Sequence, residues 1–150
     1  MLSFIVSCNN RKIPDKKYPR TNEAGEIVLD ITYCNYTTNE YIEKDCTMEE
    51  AVNYFYQLSK DTESFLTIGF SPTQAIQFVW DKKGLCLAEI TNDGDERIYM
   101  QCYASTEACI DMIITTYTGD PNKLEGFLPV PIMEKTLDDV LQEREKWHHL

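Results

Sequence analysis

Between residues 65 and 103 the sequence strings together four apolar segments of six or seven residues, each separated from the next by turn-forming groups. The segments are 65–70 (FLTIGF), 75–80 (AIQFVW), 85–90 (LCLAEI) and 97–103 (RIYMQCY). Ser71-Pro72, Asp81-Lys82-Lys83-Gly84 and Asn92-Asp93-Gly94-Asp95 lie between them, with Gly84 placed where a hairpin loop needs a positive φ. Ile76, Phe78 and Trp80 alternate against Gln77 and Val79, and Ile98, Met100 and Cys102 share one face. Tyr99 and Tyr103 then point outward or into a second layer. Segments this short, joined this tightly, build an antiparallel meander that helices must cover on one side.

Helices flank this meander. Thr47 and Glu50 form a T-x-x-E capping box, followed by Met48, Ala51, Val52, Phe55 and Leu58 at helical spacing, so the first helix is predicted to run to about Lys60. A second helix is predicted over 105–117, capped by Ser105 or Thr106 and stopped by Gly119. A third starts at Thr136 and reaches about His148. Upstream, residues 26–36 (EIVLDITYCNY) alternate Ile27, Leu29, Ile31 and Tyr33 onto one face of a strand, which a strand over 2–8 can pair. Residues 9–25 read as a long exposed loop, and the proline-interrupted stretch 127–133 as an edge strand or packed extended chain. The prediction is one α+β domain over 1–150, with an antiparallel β-sheet of about five strands and two or three helices packed mainly on one face. Its parts are an N-terminal strand and basic loop (1–25), the sheet and helices (26–133) and a C-terminal helix (134–150).

Charge constrains the partner more than any motif constrains a reaction. Residues 1–20 carry five basic side chains (Arg11, Lys12, Lys16, Lys17, Arg20) against Asp15, and the other 130 residues hold 9 basic and 24 acidic groups. A body that negative repels nucleic acid and anionic lipid and draws in a basic protein. The basic arm can touch an anionic surface weakly. The six cysteines include no C-x-x-C pair, and Cys86, Cys102 and Cys109 fall at core-facing positions, so free thiols in a reducing cytoplasm are expected. The apolar start ending in Ser7-Cys8-Asn9-Asn10 leaves an alternative, a surface or periplasmic lipoprotein module whose signal begins upstream of Met1.

No residue set reads as catalytic or metal-binding, and no cofactor is expected. The histidines, His148 and His149, are adjacent and close to the chain end. Asp93-Gly94-Asp95-Glu96 lacks the spaced ligands of a calcium loop. Carboxylate pairs keep a small carboxylate-dependent hydrolase open as a further alternative. The acids Asp61, Glu63, Asp81, Asp93, Asp95 and Glu96 all fall in turns of the proposed meander, where some share an end or edge of the sheet, and Tyr99 beside them suits an interface. These seven residues are the expected partner-binding set.

From Thr47 to Asp120 the order of elements resembles the bacterial polymorphic-toxin immunity proteins, in particular immunity protein family one. The likeness lies in a capped helix (TMEEAVNYFYQL), an apolar strand (FLTIGF), a meander (IQFVWDKKGLCLAEI, then RIYMQCY) and a helix closing in TTYTGD. Where that family often has a tryptophan after the last glycine turn, this chain reads Pro121-Asn122-Lys123-Leu124. The resemblance implies a non-enzymatic inhibitor that binds a cognate, basic toxin domain and covers its active site.

Overall fold

The computed structural model describes residues 18–91 and 98–131. Along the chain these form β1 (Arg20–Thr21), β2 (Ile27–Asn35), β3 (Glu40–Thr47), α1 (Met48–Gln57), β4 (Phe65–Gly69), β5 (Ala75–Trp80), β6 (Cys86–Thr91), β7 (Ile98–Ala104), α2 (Thr106–Thr118), a 3-10 turn (Pro121–Lys123) and β8 (Leu128–Pro131). All pairings are antiparallel. Strands β2, β4, β5, β6, β7 and β8 lie side by side, β3 flanks β2 on its other side, and β1 pairs the first residues of β2. The α+β architecture is as predicted, with eight strands among the described residues rather than about five.

The additional strands have physical reasons for escaping an apolar pattern. β3 reads EYIEKDCT, and its main chain pairs with β2 over eight successive positions, from Val28↔Thr47 to Asn35↔Glu40. Backbone pairing there does not depend on apolar side chains. β1 lies inside the expected loop over 9–25 and is anchored by a side chain, since Arg20 Nη1 and Nη2 donate to the two oxygens of Asp45 at 2.6 and 2.8 Å. Residues 2–8, the rest of the basic arm and the helix expected over 136–148 lie outside the described residues.

One face of the sheet carries the core. Leu29, Ile31, Tyr33, Leu66, Ile68, Ile76, Phe78, Trp80, Cys86, Ala88 and Ile90 are buried there with Ala51 and Phe55 of α1 and Cys109, Met112 and Ile113 of α2. Phe55 sits edge-on to Phe78 (5.5 Å between centroids) and 5.8 Å from Trp80. The capping box forms as its spacing requires: Glu50 N donates to Thr47 Oγ1 at 3.3 Å and Thr47 N to Glu50 Oε1 at 3.1 Å. The helix ends at Gln57, short of Lys60, because Leu58 turns to extended backbone and buries its side chain in the core. Ser105 caps α2, accepting from Ala108 N at 3.2 Å.

The opposite face is buried too, from β2 across to β7, and it is not uniformly apolar. Thr32, Thr67, Gln77, Glu89 and Gln101 stand opposite one another in strand register and make a polar row across it. Thr67 Oγ1 donates to Gln77 Oε1 at 2.8 Å, and Gln101 Nε2 donates to Glu89 Oε2 at 3.1 Å. On one side of that row lie Cys34, Phe65, Val79, Leu87 and Tyr103. The cysteines of the described residues are free thiols; Cys86 and Cys109 lie in the core, and the half-buried Cys102 packs against it.

Candidate interaction surface

Strand order brings part of the expected acidic set to one end of the sheet. The connection from α1 to β4, with Asp61 and Glu63, and the β5–β6 turn, with Asp81, share one end of the sheet, because Phe65 pairs with Val79 and Trp80 with Cys86. The β6–β7 connection leaves from the opposite end, beyond Thr91. Asp93, Asp95 and Glu96 lie on it, outside the described residues. Asp81 is buried and holds its own turn: its Oδ1 accepts from Lys83 N and Leu85 N, each at 2.8 Å. Tyr99 is only 2% exposed, so its ring belongs to the sheet's second buried face and is no surface contact. Arg20 is committed to Asp45, which removes it from the set of cations able to reach an anionic surface; Arg11, Lys12, Lys16 and Lys17 lie outside the described residues. Of the expected partner-binding set, Glu63 is exposed and Asp61 half-buried.

Those two belong to a corner that the sequence reading passed over. Three strongly exposed tyrosines, Tyr36 (59%), Tyr41 (61%) and Tyr56 (66%), come from the tip of the β2–β3 hairpin, from β3 and from the end of α1. A web of polar side chains ties the hairpin tip to the end of α1 and to the connection into β4, while Tyr41, opposite Cys34 in register, stands on the sheet face away from α1. Asn35 Oδ1 accepts from Thr37 N and Thr38 N, both at 3.1 Å, which shapes the tip. Asn35 Nδ2 donates to Tyr33 Oη at 2.8 Å and to Gln57 O at 3.2 Å, and Tyr33 Oη donates to that same carbonyl at 3.3 Å. The last turn of a helix leaves carbonyls without helical donors, and here strand residues supply them.

Asp61 makes the second half of the web. Its Oδ1 accepts from Glu63 N at 3.0 Å and Ser64 N at 2.7 Å, and its Oδ2 accepts from Ser64 Oγ at 2.6 Å and Thr37 Oγ1 at 2.7 Å. Ser64 Oγ in turn accepts from Tyr36 N at 2.9 Å. Burial by itself raises the Asp61 carboxyl, but hydrogen bonds from Ser64, Thr37 and the Ser64 and Glu63 amides outweigh it and hold the group well below the usual carboxylate range. Burial pushes the Tyr33 phenol up. The corner also holds Asn39 (φ 58°) and Thr62 (φ 68°), the non-glycine residues with positive φ among the described residues. A β-branched residue in that region is strained, and strain of this kind concentrates where a surface is shaped for contact.

Residues 36–63 hold seven carboxylates (Glu40, Glu43, Asp45, Glu49, Glu50, Asp61, Glu63) and two lysines. Both lysines are turned onto the chain itself: Lys44 Nζ lies 3.5 Å from Glu50 Oε2 and 5.7 Å from the Tyr54 ring centre, and Lys60 Nζ lies 4.4 Å from that of Trp80. Several carboxylates are held in place. Thr38 Oγ1 donates to Glu40 Oε1 at 2.7 Å, Tyr41 Oη donates to Glu43 Oε1, and Arg20 clasps Asp45. Asp30 and Asp45 stand directly opposite each other in register, and Arg20 clasps Asp45. A usable signal was present in the sequence: tyrosines interleaved with acids over 36–63, at positions no apolar stripe claims. Comparison of the chain with protein-family models, with curated proteins and with solved structures gives no match.

Proposed function

We propose that this chain is a protein-binding inhibitor of the immunity type, which grips a cognate basic toxin domain and covers its active site without chemistry of its own. The observation that carries the reading is the exposed, acid-flanked hairpin tip and α1 end, with Tyr36, Tyr56, Glu40 and Glu63 fastened from beneath by Asn35 and Asp61. Tyrosine is enriched among residues that dominate binding energy, because it offers a large amphipathic surface at low cost in conformational entropy. Carboxylates fixed in advance lose little further freedom when a cation arrives. A net charge of −11 steers a positive partner toward the surface and raises its on-rate at low salt.

The test is capture from outside the chain followed by kinetics. The chain is co-expressed with the C-terminal domain of a secreted protein encoded by the neighbouring gene, and the pair is isolated as a complex. Association is then followed by stopped flow at several ionic strengths with Glu40→Lys and Glu63→Lys together. The double variant is expected to slow association roughly 10-fold or more at low salt and to flatten its salt dependence. Absence of a complex with any basic protein domain, or unchanged association at low salt, removes the reading.

A further inference from the structure

We propose that the seam between α1 and α2 is a docking groove for a basic amphipathic helix of the partner. The proposal rests on the reading of the chain as a binder of a basic protein and names the element that partner presents. The two helices pack against each other, with α2 over β6 and β7. Residues three, four or seven apart share one face of a helix, so Ile110, Ile114 and Tyr117 form a row on α2. Tyr117 Oη donates at 2.9 Å to the carbonyl of Cys46, next to the Thr47 cap of α1, so this row faces α1. On α1, Tyr54 turns toward the β3 side of the sheet, its ring 4.9 Å from that of Tyr33 and 5.7 Å from Lys44 Nζ. Val52 and Tyr56 lie two positions to either side of Tyr54, about 200° round the helix from it, which puts them on the flank toward α2.

The groove is apolar at its floor and exposed at its rim. Val52 and Ile110 are half-buried against the core, while Ile114 is 38% and Tyr56 66% exposed. α2 thus carries more apolar surface than its contact with the sheet uses, the pattern of a helix covered on a second side. Charge names the occupant. The two helices together hold four carboxylates and no lysine or arginine. Glu49 shares the face of Val52 and Tyr56, and Glu107 that of Ile110 and Ile114, each at spacings of three and seven. A helix laid along the seam sets an apolar stripe at i, i+4 and i+7 on this floor and its basic residues against those acids. The ten residues of α1 span about 15 Å, a length that matches three turns of such a helix. A nucleic acid or an anionic membrane is repelled by these acids, and a second copy of this chain, itself at −11, brings like charge.

Three peptides of about four helical turns serve as probes. One repeats leucines at i, i+4 and i+7 with lysines between, one has the same residues scrambled, and one replaces every lysine of the first by glutamate. Each is titrated into the full chain, with affinity read by fluorescence anisotropy and position by NMR of the isoleucine methyls and tyrosine rings. The striped basic peptide is expected to bind at least about fivefold more tightly than its scrambled form and to shift the signals of Ile110, Ile114 and Tyr56, while the acidic peptide does not bind. Tyr56→Ser with Ile114→Ser should erase the preference for the stripe, with circular dichroism and urea unfolding checking the fold. Glu49→Gln with Glu107→Gln should weaken both basic peptides at low salt and keep the preference. Equal affinity for the striped and scrambled peptides, or shifts confined to residues away from the two helices, overturns the proposal. So do Ile114 signals that move with protein concentration alone, which would assign the groove to a second copy. Capture of a basic domain is read through Glu40 and Glu63, so the two readings fail separately.

Discussion

Asp61 shows how much one side chain can carry when it sits between elements. It was expected at a partner's surface, and the fold instead spends both of its oxygens on the chain, with four donors from Thr37, Glu63 and Ser64. Asp61→Asn is expected to destabilise the protein by about 2 kcal/mol in urea unfolding at neutral pH, the scale of hydrogen bonds to a charged acceptor. Its folded-state carboxyl lies below the unfolded value of about 3.9, so the stability it provides is complete above that pH. That contribution drains away as pH falls below about 4, and the gap between wild type and variant should narrow there. Thr62 tests the other residue-scale feature. Thr62→Gly relieves a strained φ of 68° and is expected to stabilise by about 0.5–1 kcal/mol in the same assay. If the strain shapes the corner, partner association should slow in that variant even as stability rises. Cys46 gives a third readout: burial pushes its thiol up to about 11, so alkylation at pH 8 should reach it only on unfolding.

Among the elements, those that bury a stripe or an alternating face were legible and those held by backbone or by charge were not. The helix after Thr47 and the segments over 65–103 declare themselves through capping and apolar spacing. β3 does not, because seven of its eight residues are half-buried or exposed by the pairing geometry and four of its side chains are charged. The strands of the meander hid something else. Each carries one polar residue near its middle (Thr67, Gln77, Glu89, Gln101), which reads locally as a solvent-facing position. Register aligns them into a buried row instead. Polar groups at such depth must be hydrogen-bonded, and a one-residue slip of any strand would move its polar residue to the apolar face. Thr67→Val, which keeps the shape and deletes the donor to Gln77, is expected to cost about 1–2 kcal/mol in urea unfolding. A change below about 0.3 kcal/mol would show that the Thr67–Gln77 bond does not contribute to the row.

For the molecule as a whole, the charge imbalance and the run of short apolar segments follow from residues in order along the chain, because composition and local periodicity are properties of neighbours. They determine an acidic α+β domain with its helices against one face of an antiparallel sheet. Which turn acids share an end, and which residues fasten the hairpin tip, depends on pairings across the fold. Asn35 reaches Gln57 at a separation of 22 residues, Thr37 reaches Asp61 at 24 and Tyr36 reaches Ser64 at 28. No periodicity in the chain encodes those distances; they are set when β2 pairs with both β3 and β4 and α1 is pinned between. Tertiary structure therefore withdrew Asp81 and Tyr99 into the interior and assembled the exposed corner from residues that look unrelated in the sequence.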